Sequence, residues 1–392
     1  MKIKNLKEVA ERIKLAIKNG ERIIIYGDSD CDGICSSVIL KEAIKNIPFD
    51  PVQGKGGQVD CVVFPNREND GYGINLKALE MLKAKAPALF ITLDLGIGNI
   101  KEVEIANALG FEVIIVDHHE ILGKVPEASL VVDPKQPGDE SGLTYLANVG
   151  ITFMLAEELL GENFSAQLRN SFLELTALAT ISDMVPQIQE NKIYIEEGLR
   201  SIKTTFRPGL KAFMELVGYG EIVAGGFYKI IGAINSAESI DFKNDAYLLL
   251  TESSPEKCRE LAQILIDKTN LKQQNIQRIV DEIERRITSK KSEPIIFEGD
   301  PAWRLVLAGS AASVISQRYQ KPTFIYKKMD TESAGSVRSP LEGQNSVDAM
   351  KTCMDILITY GGHPKASGFR CKNENLEELK KRLSEYFKNH AV

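Results

Sequence analysis

Arg22-Ile23-Ile24-Ile25-Tyr26-Gly27-Asp28-Ser29-Asp30-Cys31-Asp32-Gly33 is the stretch on which the fold turns. Arg22–Tyr26 reads as a strand, with the apolar run Ile23–Tyr26 behind a charged first residue, the right length for a buried strand and too short for a helix. The apolar stretch Ile34–Ile39 follows as the start of a helix, so the acidic string between them is a strand-to-helix turn. Asp28, Asp30 and Asp32 stand there at alternate positions, and carboxylates so close together repel unless a cation neutralises them. A divalent ion suits oxygen ligands of this kind, with Gly33 expected to permit the tight turn. A single Asp would read as a helix cap or a partner of the helix dipole, but three exceed that need. D-x-D-x-D-G also resembles an EF-hand loop, yet the later bidentate Glu is missing and the string follows a buried-type strand.

Outward from this stretch, Val59–Phe64, Ala88–Leu93 and Glu112–Val116 read as further strands, alternating with helical patterns up to about residue 190. That alternation implies βαβ units and a parallel sheet. Each run ends in a polar group: Arg67 shortly after the second, Asp94 after the third, Asp117-His118-His119 after the fourth. Ligands of open α/β sheets bind at the carboxyl ends of the strands, so these groups are expected to converge on one crevice. An aspartate beside two histidines suits a mixed nitrogen and oxygen metal site. Adjacent histidines on extended chain point to opposite faces, so one can bind metal while the other meets substrate. Leu143–Leu160 and Gln167–Thr180 read as helices, and the second runs into Ile181-Ser182-Asp183-Met184-Val185-Pro186, setting Asp183 at a helix-to-loop exit.

The region from Pro255 to about residue 290 is a long polar helical pattern suited to a connector. Pro294–Phe297, Arg304–Leu307 and Pro322–Tyr326 then resemble strands, with Ser310–Tyr319 a helix between the last two. The expected division is 1–190, 191–292 and 293–392: a parallel-sheet α/β domain, a helical region with connector, and a smaller α/β domain.

The 392 residues are 43% hydrophobic and 26% charged, which sets aside disordered and coiled-coil classes. No apolar run approaches the roughly 18 to 20 residues of a membrane span. The N-terminus has no signal-peptide pattern, so a cytoplasmic location is expected. Six cysteines without a C-x-x-C pair read as reduced thiols rather than a zinc ribbon or a disulfide framework. With 48 basic and 54 acidic side chains the net charge is −6, so any nucleic-acid contact must come from a local basic lining.

The combination of Gly27-Asp28-Ser29-Asp30-Cys31-Asp32-Gly33, Asp94, Asp117-His118-His119 and Ser182-Asp183 resembles the DHH phosphoesterase superfamily. Gly361-Gly362-His363-Pro364-Lys365-Ala366-Ser367-Gly368-Phe369 is similar to the G-G-H signature of the associated DHHA1 domain. Pro65-Asn66-Arg67 with Gly71-Tyr72-Gly73, and Gly335-Ser336-Val337-Arg338-Ser339, resemble motifs of the RecJ single-strand exonucleases, in a compact, archaeal-type form. Two departures stand out. Asn235-Ser236-Ala237-Glu238-Ser239 lacks the basic residue of the family's N-A-A-G-R, and Tyr26 stands where some relatives carry a histidine, with Asp28 a candidate to compensate.

The resemblance implies an N-terminal parallel-sheet DHH domain, a helical connector and a DHHA1 substrate-binding domain. It also implies two Mn²⁺ or Mg²⁺ ions, one held by Asp30 with Asp28, the other by Asp32, His118 and Asp183, with Asp94 bridging. His119 would face the scissile phosphate, and Asp117 would orient it from behind. Hydrolysis would follow from an activated water attacking phosphorus in line, both ions offsetting the charge that develops. Arg67, Ser336, Arg338, Gly361, Gly362 and His363 would contact phosphates of the nucleic acid. For Gly361-Gly362 the residues alone also allow a turn capping a helix that ends near Tyr360. The implied activity is 5′-to-3′ removal of nucleotides from single-stranded DNA in repair, recombination or replication, with repair or replication proteins as candidate partners and no membrane. The alternatives are an RNA exonuclease or short-oligonucleotide phosphodiesterase, and a nuclease-inactive scaffold of the replication machinery.

Overall fold

The isoleucine run forms strand β1 (Ile23–Gly27), and four more strands, β2 (Cys61–Val63), β3 (Ala88–Leu93), β4 (Phe111–Val116) and β5 (Leu130–Val132), pair with it in one parallel sheet of order β2-β1-β3-β4-β5. Parallel strands need crossover connections and end up covered on both faces, which is why they read as continuous apolar runs. Ile23 and Ile25 point into one core, while Ile24 and Tyr26 point into another on the opposite face. The helices of this part are α1 (Leu6–Asn19), α2 (Cys31–Lys45), α3 (Leu76–Leu82), α4 (Ile100–Ala108), α5 (Asn148–Leu160), α6 (Ala166–Ser182), α7 (Gln189–Ser201), α8 (Pro208–Val217), α9 (Phe227–Ile234) and α10 (Asp245–Thr251). α1, α2, α5 and α6 bury their apolar stripes in the larger core, and α3 and α4 cover the other face. A short hairpin of β6 (Ser239–Ile240) and β7 (Lys243–Asn244) lies between α9 and α10.

This computed structural model describes residues 2–48, 56–218, 225–288, 293–340 and 343–390. Its contacts divide the chain into two units, Met1–Thr269 and Asn270–Val392, and the division falls within α11 (Pro255–Ile287). The segment 191–269 thus packs with the N-terminal unit. Among the described residues no helix is long and apolar enough to cross a membrane.

The second unit carries a mixed sheet of order β11-β12-β10-β9-β8, built from β8 (Ile296–Asp300), β9 (Thr323–Lys328), β10 (Glu332–Arg338), β11 (Leu357–His363) and β12 (Ala366–Lys372). β8 and β9 are parallel and the other pairs antiparallel. One face packs Phe297, Phe324, Val337 and Phe369 against α13 (Ser346–Lys351) and α14 (Leu376–Asn389). The other sets Ile296 and Ile325 against α12 (Leu305–Tyr319) and Ile279–Ile287 of α11.

Three readings of the sequence are corrected here. Arg304–Leu307 is no strand: Arg304 is the extended residue that opens α12. Gly33 is not in a turn but in the first turn of α2, where a Cβ would lie 2.4 Å from the Asp28 carbonyl oxygen, so glycine is needed for close approach of helix to strand end. The chain at Tyr360 is strand β11, not a helix end. Gly362 takes φ +123° there, and a side chain on it would strike Ala366 and Ser367 of β12.

Candidate metal centre

All five parallel strands carry a charged residue at or just beyond their carboxyl ends: Asp28 after β1, Arg67 after β2, Asp94 after β3, Asp117 after β4 and Asp133 after β5. Three of these acids are fixed by continuing the sheet ladder. Asp28 N–H donates to Leu93 O (3.1 Å), Asp94 N–H to Val116 O (3.0 Å) and Asp117 N–H to Val132 O (3.0 Å). Because β1, β3 and β4 are neighbours, their acids arrive at one crest with Asp30, Asp32, His118, His119 and Asp183.

Ligand atoms of Asp28, Asp30 and Asp94 lie within 4.8 Å of one another, as do those of Asp32, His118 and Asp183, and those of Asp94, His118 and His119. Asp94 Oδ1 is 3.3 Å from His118 Nε2, which links the groups. His118 Nδ1 donates to Leu146 O (3.1 Å), which places the proton there and turns Nε2 towards Asp94, Asp183 (3.7 Å) and Asp32 (4.0 Å). Asp183 caps the end of α6, as its place in the sequence requires.

Asp30 and Asp32 are also anchored from behind. Asp30 Oδ1 caps α2 by accepting the Asp32 and Gly33 amides at 3.0 and 3.1 Å, leaving Oδ2 to face the site. Asp32 accepts the Asn148 and Val149 amides (2.8 and 2.7 Å), so the N-terminus of α5 holds it. Asn235 bridges both sides of the site, its Oδ1 accepting Cys31 N–H (2.9 Å) and its Nδ2 donating to Ser182 Oγ (2.8 Å). Tyr26 stays out of the cluster, its hydroxyl donating to Gly73 O and accepting from Asn75.

The buried carboxylates away from Arg67 repel one another. Burial, then the charges of Asp183 and Asp30, push the Asp32 carboxyl well above the usual range. Burial and the Asp32 and Asp30 charges do the same to Asp94, and burial raises Asp183 to about 7. Asp94 Oδ1 and Asp183 Oδ2 are buried with no hydrogen-bond partner among the described residues. Clustered oxygens with unsatisfied lone pairs and mutual repulsion fit divalent cations, and one imidazole nitrogen admits a transition metal.

Asp117 and His119 form a separate pair. His119 Nδ1 lies 2.7 Å from Asp117 Oδ1, and Asp117 also accepts the Ile97 and His118 amides. Burial opposes the charge on both, but the pairing prevails and brings Asp117 down to about 2 and His119 up to about 9. The imidazolium is thereby held charged beside the carboxylates.

Arg67 lies on the acids themselves. Its Nε donates to Asp28 Oδ1 (2.8 Å), one terminal nitrogen pairs with Asp28 Oδ2, and the same nitrogen reaches Asp30 Oδ2 (2.9 Å). In the second unit Ser336 and Arg338 point to the same face of β10, and His363 stands in register with Arg338 across Ala366 of β12. Gly361 stands in register with Ser336 across Gly368, so small residues separate these side chains. Arg338 donates to Ser313 Oγ and Val337 O, and no acidic side chain among the described residues pairs with it.

The sequence reading missed the α5 amides behind Asp32, the bridging role of Asn235, and Asp133. It also missed Gly309, whose absent side chain leaves room for the Arg338 guanidinium. Only Asp133 had a readable signal, an apolar run followed by an acid, but that run is three residues long.

A parallel sheet with this acid and histidine crest defines a class. Residues 22–180 match the family described as "DHH family, N-terminal domain". Over its length the chain is similar to RecJ. It is 33% identical to the single-stranded-DNA-specific exonuclease RecJ of Bacillus subtilis over 99% of its own length and 48% of the relative's. The crystal structure of exonuclease RecJ bound to manganese superposes with a TM-score of 0.76 at 26% identity, covering 99% of this chain and 95% of that one. RecJ from Thermus thermophilus in complex with Mn²⁺ gives 0.81 at 25% identity, over 99% of this chain and 55% of that one. The chain thus spans about half the length of the Bacillus relative.

Proposed function

We propose that the chain is a metal-dependent phosphodiesterase that removes nucleotides from single-stranded DNA, 5′ to 3′, in repair, recombination or replication. The observation that carries this reading is the pair of ligand groups joined by Asp94 and His118 at the crest of the parallel sheet. Similarity to single-stranded-DNA-specific exonucleases over 99% of the chain supports the substrate class. We assign the phosphoesterase domain to 1–190, the helical region and connector to 191–292, and the DHHA1 substrate-binding domain to 293–392. A cytoplasmic site of action goes with this reading.

Asp28, Asp30 and Asp94 would hold one Mn²⁺ or Mg²⁺, and Asp32, His118 and Asp183 the other, with Asp94 shared. Bound there, such ions lower the pKa of water and offset charge on phosphoryl oxygens. The chain's own groups do the rest. Asp117 keeps His119 protonated and oriented, so that the imidazolium can donate to a phosphoryl oxygen. Arg338 and Ser336, on one face of β10, offer a phosphate a hydroxyl and a guanidinium that has no carboxylate partner among the described residues. Gly361, Ala366 and Gly368 leave a low surface between them and His363 on which a strand can lie.

The test compares the protein with Asp32→Ala on matched single-stranded DNA and RNA labelled at either end, with Mn²⁺, Mg²⁺ or EDTA. Metal-dependent release of mononucleotides from the 5′ end of DNA, lost in the variant, is the expected result. No cleavage of either polymer with either metal refutes the nuclease reading and leaves a scaffold. Preference for RNA or for very short oligonucleotides would redefine the substrate.

A further inference from the structure

Two of the three ligand groups at the crest, Asp28/Asp30/Asp94 and Asp32/His118/Asp183, differ in their counter-ions. Asp32 and Asp183 face no Lys or Arg in any ion pair among the described residues, whereas Asp28 and Asp30 are gripped by Arg67. The grip uses the very atoms a metal would use. Asp30 Oδ1 is committed to the α2 cap, so its one outward oxygen is Oδ2, which Arg67 holds at 2.9 Å. Asp28, whose side chain is 1% exposed, gives Oδ1 to Arg67 Nε and to its own Ser29 amide, and Oδ2 to the Arg67 terminal nitrogen. These oxygens keep a second lone pair, but a guanidinium and a divalent ion held side by side on them would repel, so the two compete for the position.

Arg67 is also built to leave. Its backbone sits in a turn pinned by Asn66 and Asp70: Asn66 Oδ1 accepts the Glu68 and Asn69 amides, and Asp70 Oδ2 accepts the Asn66 amide. The turn can therefore stay while the side chain, 36% exposed, swings outward. The guanidinium lies 5.6 Å from the centroid of the Tyr72 ring, whose hydroxyl donates to Asp94 O (3.1 Å), so an aromatic surface flanks it beside the site.

We propose that Arg67 is an internal counter-ion for the Asp28–Asp30–Asp94 position, displaced when a divalent ion binds there and passed to a phosphate of the substrate. The inference rests on the two-metal reading and deepens it. It makes loading of the two positions unequal and makes phosphate and metal help each other. A phosphate that engages Arg67 frees the carboxylates, so it strengthens metal binding there, and the metal strengthens phosphate binding by the same factor. Without substrate the buried acids keep a cation; with substrate the guanidinium exchanges one oxyanion partner for another.

The test measures Mn²⁺ binding by isothermal titration calorimetry and by the EPR signal of free Mn²⁺. It uses the full chain, Arg67→Gln and Arg67→Lys, each with and without thymidine 5′-monophosphate, which has no phosphodiester to cleave. The expected result is two unequal sites in the parent, with the weaker one about tenfold tighter in Arg67→Gln and the tighter one unchanged. Arg67→Lys, which keeps the charge but loses the fork, gains less, and it covers the case in which the Gln variant does not fold. Thymidine 5′-monophosphate tightens the weaker site in the parent and not in Arg67→Gln. Two sites in both proteins with the weaker one unchanged, or both shifted equally as a mere loss of charge would do, overturn the counter-ion role alone. No Mn²⁺ binding to either protein overturns the metal reading and this inference with it.

Discussion

The crest of the parallel sheet and strand β10 of the second unit are opposite in charge and alike in logic. At the crest six aspartates and two histidines converge, and Arg67 is the one guanidinium paired with them among the described residues. On β10 a partly buried guanidinium, Arg338, donates to a hydroxyl and a carbonyl and pairs with no acid among the described residues, and burial lowers its pKa. Buried charge without a partner is costly, so neither arrangement is explained by stability. The charge of each region is unbalanced by its own surroundings, in opposite senses. In the phosphodiesterase proposed above, the crest would hold the ions that activate water and β10 would bind a phosphate.

Asp94→Asn strikes the crest hardest, because Asp94 belongs to two ligand groups. Nucleotide release from single-stranded DNA is expected to fall by about 10³-fold or more, with Mn²⁺ binding weakened at both positions in a calorimetric titration. Activity within about tenfold of the parent would mean that the crest is not a two-ion site. Arg338→Met tests the second region. KM for single-stranded DNA is expected to rise about 10- to 100-fold with kcat little changed, and the slope of log K against log salt to drop by about 1. Removing the uncompensated guanidinium should leave the folded state as stable or more so, by on the order of 1 kcal/mol in urea titrations. If Arg338→Met lowers stability and leaves KM alone, the guanidinium is structural and the comparison fails.

The two regions were not equally legible in the sequence. Parallel strands buried on both faces are apolar along their whole length, so β1, β3 and β4 stood out, and the acids after them were visible by contrast. β10 and β11, Glu332-Ser333-Ala334-Gly335-Ser336-Val337-Arg338 and Leu357-Ile358-Thr359-Tyr360-Gly361-Gly362-His363, are rich in Gly and Ser and lack that contrast. The strand signal was instead read into Arg304–Leu307, which opens a helix. What ties the site together was hidden for another reason. Arg67 meets Asp28 39 positions away, the Asn148 amide meets Asp32 across 116, and Asn235 meets Cys31 across 204. Such contacts come from topology, and local patterning has no access to them.

Asp133 shows where the comparison stops, because it is a strand-end acid that belongs to none of the ligand groups. Burial, with the Asp117 charge as a smaller cause, raises its carboxyl from 3.8 to about 7. Its Oδ2 is buried without a hydrogen-bond partner among the described residues, while Oδ1 accepts the Lys135 amide (2.8 Å). A carboxyl whose pKa is raised by folding holds its proton more tightly in the folded chain than in the unfolded one. Its contribution to stability therefore declines as pH climbs from about 4 to about 7 and is flat on either side. Asp133→Asn keeps the amide contact and removes the charge. It should therefore be more stable than the parent at pH ~8 by about 1 to 2 kcal/mol, with little difference at pH ~4. Urea titrations at the two pH values read this directly. Equal differences at both would show that Asp133 is ionised or solvated throughout, and that acid at a strand end outside the ligand groups carries no strain.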